Sequence, residues 1–430
     1  MSPGGEQTDQ LASRLDQLAS TCMRHCDLIS QMTECEGEIT RRFLTPPIQQ
    51  SHDYLRGCME TLGLSVRVDD AGNLIGRREG TNNKKTLLVG SHLDTVPGGG
   101  KYDGLLGVTL GIAALELIGP VSLPMNVDVI GFSEEEGVRF AQPYLGSSAI
   151  AGVFESDWLD RLDGDGQSMR SVMEAFGLQP SCISDAAYRT DEVIGFVEAH
   201  IEQGPLLYRV DRPVGLVDSI AGQSRLQLRF TGRQGHAGTV PMSLRHDALV
   251  SAARWIAEVS RVGNSIDGLR ATIGRIKASP NARNVIPDTV ELSLDVRHFD
   301  DKIREDAVTE LCRIGMGGEE KDGVRFEVIE NQAQCAVQMD DDLCSLMNAS
   351  MASKGIRSFR MFSGAGHDAA VMASKFPTSM LFLRQVTGIS HHPDEDVAEE
   401  DVAVAIDVLA DFILRVAQQV NDQDKMKDSR

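Results

Sequence analysis

Helical spacing of apolar residues alternates along this chain with short apolar runs and with strand-like alternation. Residues 8–65 are predicted to be mainly helical, and Pro46 and Pro47 open a second helix there. From Leu64 onwards, buried strands and apolar helices follow one another, which is typical of an α/β domain. The predicted elements of this part are strands at 66–69, 74–77, 86–90 and 127–132 and a helix at 107–117.

A different pattern follows Gly204 and Pro205. Strand-like alternation interleaved with helical spacing fits a two-layer α+β domain of the β-α-β-β-α-β kind. After about residue 333 the α/β pattern returns. The elements behind this division are alternating segments at 214–230, 290–296 and 324–328, helices at 247–262 and 302–314, and later a helix at 340–354, a strand at 379–383 and a helix at 402–420.

These patterns predict a catalytic α/β domain in two pieces that is interrupted by an inserted domain. The predicted boundaries are 1–213 and 331–430 for the catalytic domain and 214–330 for the insertion.

Charge and cysteine usage restrict the partners. The formal net charge of -21 argues against nucleic acid and against an anionic membrane surface. The acidic stretch 394–401 is expected to be solvated. The eight cysteines form no CxxC pair, which favours free thiols in a reducing compartment, and no apolar stretch approaches the roughly 20 residues of a membrane span. A cytoplasmic location is therefore expected.

His92 and Asp94 come directly after the apolar run 86–89, and Asp103 follows on a loop that ends in glycine. Histidine and carboxylate ligands are what a divalent metal ion needs, and open α/β sheets place their sites at strand ends. These residues predict a metal-dependent hydrolase.

Three adjacent acids, Glu134, Glu135 and Glu136, follow the strand at 127–132. Such a run is most often a solvated loop, but buried carboxylates need a cation. The upstream cluster favours one glutamate as a metal ligand and its neighbour as a general base.

Four further histidines are candidates for the last ligands. A lone histidine is usually a core or surface residue, but His200 lies among acids before a Gly-Pro stop and is interpreted as a ligand. His367, His391 and His392 could each supply the final ligand, and spacing does not choose between them.

The inserted domain offers three polar groups. His236 lies on a turn of small residues, which is either only a tight turn or a way to reach a cleft and stabilise an oxyanion. Asn284 offers an amide. Arg297 is either a surface residue or a bidentate partner for a substrate carboxylate.

Together these segments resemble the M20 metallopeptidase-like amidohydrolases, and within them the ureido-hydrolysing branch. That branch contains allantoate amidohydrolase, N-carbamoyl-L-amino acid hydrolase and β-ureidopropionase. The resemblance covers residues 10–420, and its motifs are in family order: GSHLDTV, KYDG, EEGVRF, HIEQGP, GHAGTVPM, NVIP with an arginine 13 residues later, SGAGHDA and GISHxPxE.

The resemblance implies two divalent metal ions per subunit, Mn²⁺ or Zn²⁺, with Asp103 bridging them. His92 and His200 would complete one coordination shell, and Glu136 and His391 the other. It also implies an α/β catalytic domain with a mixed sheet flanked by helices, and an inserted ferredoxin-like lid that dimerises, so that the protein would be a homodimer.

The resemblance also implies roles for the remaining residues. Glu135 would be the general base, and Asp94 would orient His92. His236 would stabilise the oxyanion, in its own subunit or in the dimer partner. His367 and Asp368 would be structural or face the substrate. The implied substrate binders are Gln203, Gln223, Asn284 and Arg297, of which the last two would hold the substrate carboxylate.

The implied activity is hydrolysis of a ureido C–N bond in a small carboxylate. The wording FSEEEGVRF, IAGQ and GHAGTVPM is most similar to allantoate amidohydrolases, so allantoate is the predicted substrate, giving ureidoglycine, ammonia and CO₂. The alternative is N-carbamoyl-L-amino acid hydrolase or β-ureidopropionase. NVIP with Arg297 disfavours a peptidase, and the intact ligand set disfavours a non-catalytic binding protein that retains the fold.

Overall fold

The computed structural model describes residues 3–81 and 85–428 and divides into two compact units. The first unit consists of the chain up to Asp218, of Met339–Met361 and of the chain from Gly366 onwards. The second unit consists of Ser219–Gln338 and Phe362–Ala365.

Strands and helices alternate through most of the described chain. In chain order the strands are β1 Ser65–Val68, β2 Leu74–Arg78, β3 Thr86–His92, β4 Asn126–Phe132, β5 Val193–Ile201, β6 Val214–Ile220, β7 Gly222–Thr231, β8 Gly235–His236, β9 Arg270–Ser279, β10 Val285–Ile286, β11 Thr289–His298, β12 Arg325–Gln334, β13 Val337–Gln338, β14 Arg360–Ser363 and β15 Thr378–Leu383. The α-helices are α1 Pro3–Ser30, α2 Pro46–Thr61, α3 Leu105–Ile118, α4 Leu145–Ile150, α5 Met169–Phe176, α6 Leu206–Arg209, α7 Ala248–Ser265, α8 Asp301–Asp322, α9 Asp341–Ser353, α10 Asp368–Met372 and α11 Glu399–Asp428, and short 3₁₀ helices lie at Ser156–Asp160, Pro180–Ala186 and Met242–Leu244.

The larger sheet is mixed. Its strand order over the described residues is β1-β2-β4-β3-β5-β15-β6-β13, with β14 beside β6. The central strands β4, β3, β5 and β15 are parallel, and the flanking pairs are antiparallel. Every residue of β3, β4 and β15 is buried, which explains their continuous apolar runs. Helix α3 is apolar almost all round because it too is buried.

The second unit contains the four-stranded antiparallel sheet β12-β7-β11-β9, with α7 and α8 packed on it. Strands β7 and β11 alternate buried and partly exposed positions, and their inward residues pack with Trp255, whose ring lies 5.8 Å from that of Phe326. This is the expected β-α-β-β-α-β order, and the predicted fold class is confirmed.

The observed division lies a few residues beyond the predicted 214 and 330. Most of β6 pairs with β15 in the larger sheet, so the chain leaves the first unit at Asp218. At the far boundary, β12 runs to Gln334. Helix α8 also extends past its predicted end at residue 314, although Gly315 lies in it. A Cβ at Gly315 would lie 2.6 Å from the Phe326 ring, so close packing explains this glycine.

Two further observations bear on location. None of the helices in the described part of the chain combines the length and the apolar character needed to cross a bilayer. All eight cysteines are free thiols. The cytoplasmic location stays a prediction.

Candidate metal centre

Three parallel strands bring their carboxyl ends to one edge of the larger sheet. His92 is the last residue of β3, His200 is the penultimate residue of β5, and the run of three glutamates begins two residues after β4 ends. Because β4, β3 and β5 are neighbours, their carboxyl ends meet. Strand β5 was not predicted from the sequence, since Glu198 and His200 interrupt its apolar run.

One oxygen of Asp103 faces two imidazoles. Its Oδ1 lies 3.3 Å from His92 Nε2 and 3.1 Å from His200 Nε2, and these two nitrogens are 3.4 Å apart. His92 Nδ1 lies 3.0 Å from the carbonyl of Asp94, and His200 Nδ1 lies 2.9 Å from that of Ile201. A carbonyl only accepts, so each Nδ1 donates, and in the neutral imidazole each Nε2 presents a lone pair. Three electron-pair donors therefore converge, as a divalent cation requires.

The other oxygen of Asp103 faces a second group. His391 Nε2 lies 3.4 Å from Asp103 Oδ2 and 3.4 Å from Glu136 Oε1. In this group, as in the group of His92, Asp103 and His200, the ligand atoms all lie within 4.8 Å of one another. Asp103 thus offers one oxygen to each group. This donor set fits two divalent cations that share a carboxylate.

Burial raises the pKa of the Glu135 carboxyl well above its usual range, although His92 opposes the shift. Burial likewise raises the pKa of Glu136 to about 8. Burial also disfavours a charged His92, but hydrogen bonding with Asp103 and Asp94 outweighs it and raises the pKa of His92. Carboxylates crowded in this way are stabilised as anions by a bound cation.

The three adjacent glutamates have different tasks. Glu134 accepts backbone N–H groups of Phe43 and Arg139 at 3.0 and 2.7 Å, so both of its oxygens are engaged in holding loops together. Asp94 accepts the N–H groups of Glu135 and Glu136, each at 3.0 Å. Glu135 and Glu136 form a third candidate ligand group with His92. Asp94 therefore orients the glutamate loop, and it also contacts His92 Nδ1 through its carbonyl at 3.0 Å and through its Oδ1 at 3.5 Å.

A glycine lets Asp103 approach His92. Gly104 has φ +67°, and a Cβ there would lie 2.5 Å from the His92 ring. Any side chain would displace the imidazole, so glycine is required at this position.

His367, His391 and His392 lie in three different environments. His391 joins Asp103 and Glu136. His367 is buried with its ring 4.5 Å from that of His200, and it groups with His200 and Glu198. His392 is about half exposed, 3.6 Å from Asp394. Asp368, which follows His367 in the chain, is fully buried.

Gln203 faces the same centre. Its Nε2 donates to Asp103 Oδ2 at 2.8 Å, which fixes the orientation of the amide. Its Oε1 is buried and accepts no hydrogen bond from the described residues. That oxygen is available to accept an N–H group.

The remaining predicted substrate residues lie in the second unit. His236, on β8, pairs with Val285 of β10, and Asn284 accepts the N–H of Ala237 through its carbonyl at 3.0 Å. The side chains of His236 and Asn284 are exposed. This places the two predicted groups side by side.

Gln223 and Arg297 form a second pair, as cross-strand partners on β7 and β11. The guanidinium of Arg297 donates to both oxygens of Asp295, at 2.8 and 3.0 Å, and to the carbonyl of Gly364 at 2.7 Å. Gln223 donates to Gln334.

The two pairs lie at opposite ends of the four-stranded sheet. Thr289 at the start of β11 pairs with Thr231, close to His236, whereas Arg297 near its end pairs with Gln223. Arg297 lies eight residues beyond Thr289 along β11, which corresponds to roughly 25 Å. The joint binding of a substrate carboxylate by Asn284 and Arg297, which the family resemblance implies, stays a prediction.

The sequence missed Glu395. This residue is only 3% exposed, and its Oε1 accepts the N–H groups of both Tyr102 and Asp103, each at 2.9 Å. Asp401 is also buried and pairs with Arg384 at 2.7 Å. The expectation that 394–401 is solvated is therefore wrong at these two positions. The final glutamate of the motif GISHxPxE is Glu395 and could have indicated its role. It lies within an acidic stretch that the sequence predicts to be solvated throughout.

The chain is similar to known proteins over most of its length. Residues 88–415 match the family model described as Peptidase family M20/M25/M40. The chain is 36% identical over 412 residues to allantoate deiminase 2 of Glycine max, covering 88% of this chain and 85% of that protein. It is 34% identical over 385 residues to the N-carbamoyl-L-amino acid amidohydrolase of Geobacillus stearothermophilus, covering 89% and 94%.

A solved structure is similar over nearly the same span. The crystal structure of an amidase of the hydantoinase/carbamoylase family from Burkholderia multivorans matches with a TM-score of 0.87 at 30% sequence identity. The match covers 93% of this chain and 98% of the other.

Proposed function

This chain belongs to peptidase family M20/M25/M40 and is a hydrolase of carbon–nitrogen bonds other than peptide bonds, and from that premise we propose that it hydrolyses a ureido C–N bond of allantoate. The observation that carries the proposal is the placement of Asp103, with one oxygen toward His92 and His200 and the other toward His391. The motif wording and the relative named allantoate deiminase support the choice of allantoate.

Two divalent cations, Mn²⁺ or Zn²⁺, fit the donor set of the proposed site. His92, His200 and Asp103 would hold one, and Asp103, Glu136 and His391 the other. When bound, such cations polarise a carbonyl and lower the pKa of water. A ureido carbonyl needs this help because two nitrogens donate into it and make it a poor electrophile.

The protein's own residues would manage protons and orientation. Glu135 takes a proton from the attacking water and passes it to the leaving nitrogen as the C–N bond breaks. Gln203 Oε1 accepts an N–H of the ureido group, which satisfies an oxygen that is otherwise buried without a partner. The carbamate released then decomposes to ammonia and CO₂, leaving ureidoglycine.

A homodimer would resolve the separation of the two substrate-binding pairs. Because roughly 25 Å of strand lies between the two pairs in one chain, we infer that one chain supplies Gln223 and Arg297 to a site and its partner supplies His236 and Asn284. His236 would then donate to the oxyanion, and Arg297 would bind the carboxylate bidentately.

The second candidate substrate is an N-carbamoyl-L-amino acid. Val386 and Ile389, which lie within five residues of His391 in the sequence, are 41% and 40% exposed. Exposed apolar side chains near His391 would suit an amino acid side chain better than the second ureido group of allantoate. The relative from Geobacillus stearothermophilus carries that activity in its name.

A substrate panel tests the proposal. Protein stripped of metal and reloaded with Mn²⁺ is assayed for ammonia release from allantoate, from several N-carbamoyl-L-amino acids and from N-carbamoyl-β-alanine. The highest kcat/KM for allantoate is expected. A higher value for a carbamoyl amino acid would replace allantoate with the second candidate, and no release at any metal loading would contradict ureido hydrolysis altogether.

A further inference from the structure

Two loops that are far apart in the sequence meet at the metal centre. The Asp103 loop, residues 99–104, leads into α3, and the His391 loop, residues 388–395, leads toward α11. Each loop presents one of the residues that face the second candidate cation. The distance between the loops therefore decides whether Asp103 Oδ2 and His391 Nε2 can bind the same cation.

Glu395 joins these loops through its carboxylate. Its Oε1 accepts the N–H groups of Tyr102 and Asp103. The hydroxyl of Ser390 lies 3.0 Å from Asp103 Oδ2 and 3.3 Å from Glu395 Oε2. The backbone of the Asp103 loop and the side chain of Asp103 are thus both tied to the His391 loop.

The Asp103 loop has room for this carboxylate and for little else. A Cβ at Gly100 would lie 2.3 Å from the Glu395 carboxyl group, so this glycine makes the approach possible. Burial and the neighbouring Asp103 raise the pKa of Glu395 to about 7, and the hydrogen bonds that it accepts from Tyr102 and Asp103 oppose this shift.

The two candidate cation groups differ in how they are supported. His92 and His200 are buried, and each is fixed by a backbone carbonyl. The side chain of His391 is 49% exposed, and its backbone is left-handed with φ 56°. The group of His391 therefore depends more on the contacts that hold its loop.

We propose that Glu395 is a positioning residue that holds the Asp103 and His391 loops at the spacing required by the second cation. The inference rests on the proposed two-cation centre and goes beyond it in assigning a task to a residue outside every candidate ligand group of the described chain. Loss of Glu395 should weaken the cation at Glu136 and His391 much more than the cation at His92 and His200.

The test is a cation titration of metal-free protein by calorimetry with Mn²⁺, together with metal content after dialysis. Glu395→Ala removes the acceptors, whereas Glu395→Gln keeps an oxygen that can accept both N–H groups. In Glu395→Ala we expect the weaker binding event to lose about 10- to 100-fold in affinity and the tighter event to change less than about threefold. Glu395→Gln should lie close to wild type.

Two further variants keep the result interpretable. Asp394→Ala removes an exposed acid from the same loop and should leave both binding events unchanged. Ser390→Ala removes only one hydroxyl, so it should weaken the same event by a smaller factor, and it decides the matter if Glu395→Ala does not fold. Thermal unfolding in chelator reports the integrity of each metal-free variant.

The outcomes separate this inference from the proposed function. Wild-type affinities in Glu395→Ala, equal losses at both events, or a Glu395→Gln variant as impaired as Glu395→Ala would each overturn the positioning role. If wild-type protein itself fails to bind two cations, the proposed centre fails instead.

Discussion

His92 and His200 in the first unit are almost completely buried and are fixed by backbone carbonyls, whereas His236 in the second unit is exposed on a two-residue strand. The same contrast separates Asp103, which faces two ligand groups, from Arg297, which is engaged with Asp295 at one end of a sheet. The first set of residues is complete within one chain. The second set is divided between two ends of a sheet, so in the proposed homodimer its chemistry would depend on how the chains assemble.

The largest effect that would test this contrast is expected from Glu135→Gln. Removing the proposed general base should lower kcat by roughly 10²- to 10⁴-fold, while the metal content stays at about two per chain. Elemental analysis and steady-state kinetics measure both. Glu136→Gln is the matched variant and should lose a cation. If Glu135→Gln loses a cation instead, the roles of these two glutamates are exchanged.

His236→Ala tests the exposed set. If His236 is the proposed oxyanion donor, its loss should lower kcat by about 10²- to 10³-fold without changing metal content. Unchanged kcat would remove His236 from the reaction.

Co-expression of Glu135→Gln and His236→Ala chains tests whether the two sets belong to different chains. In a mixed dimer, one site would combine an intact Glu135 with an intact His236 of the other chain. About a quarter of wild-type activity is therefore expected from a random mixture. If both sets act within one chain, the mixture stays inactive.

The pH dependence of the free energy of unfolding tests the effect of burying a histidine. His52 on α2 is 1% exposed, its Nδ1 has no partner in the described chain, and burial, with a smaller contribution from Arg56, lowers the pKa of His52 to about 4. Since the unfolded pKa is about 6.5, only the unfolded state binds this proton between those values, so stability should fall as the pH decreases through that window.

The expected loss is at most roughly 3 kcal/mol in the free energy of unfolding, measured by urea titration at several pH values. His52→Leu should remove this part of the pH dependence. At pH 8 the imidazole is neutral in both states, so any difference there reports packing alone. An unchanged slope in the variant would contradict this account.

The smallest of these effects is expected from Arg297→Ala. The side chain is 28% exposed, so the loss of carboxylate binding should cost about 2 kcal/mol, or a roughly thirtyfold rise in KM, with kcat little changed. Arg225→Ala is the matched control, because Arg225 also contacts Asp295. A similar KM effect in both variants would indicate that Asp295, and not the substrate, is the partner of Arg297.

Much of the fold follows from periodicity. The runs that became β3, β4 and α3 are apolar because they are buried on all sides, and the alternation of β11 reflects one face packed on helices. Strand β5 is not predicted because Glu198 and His200, two members of candidate ligand groups, interrupt its apolar pattern.

The candidate site was harder to predict in detail. The sequence gives no reason to separate Glu134 from Glu135 and Glu136, since their difference lies in which backbone N–H groups each one meets. Likewise, the distance between Asn284 and Arg297 depends on the direction of β11 and on its register with β7. Such relations are set by tertiary pairing, which a single sequence does not display.

The residues of the two candidate cation groups are synthesised at different times, because the His391 loop lies near the end of the chain. Asp103 emerges during synthesis long before Glu395, and the whole second unit is translated between them. A nascent chain that stops inside the second unit would carry His92, Asp103 and His200 but neither His391 nor Glu395. Full cation loading would then be a late step of maturation, and it would distinguish finished molecules from truncated ones.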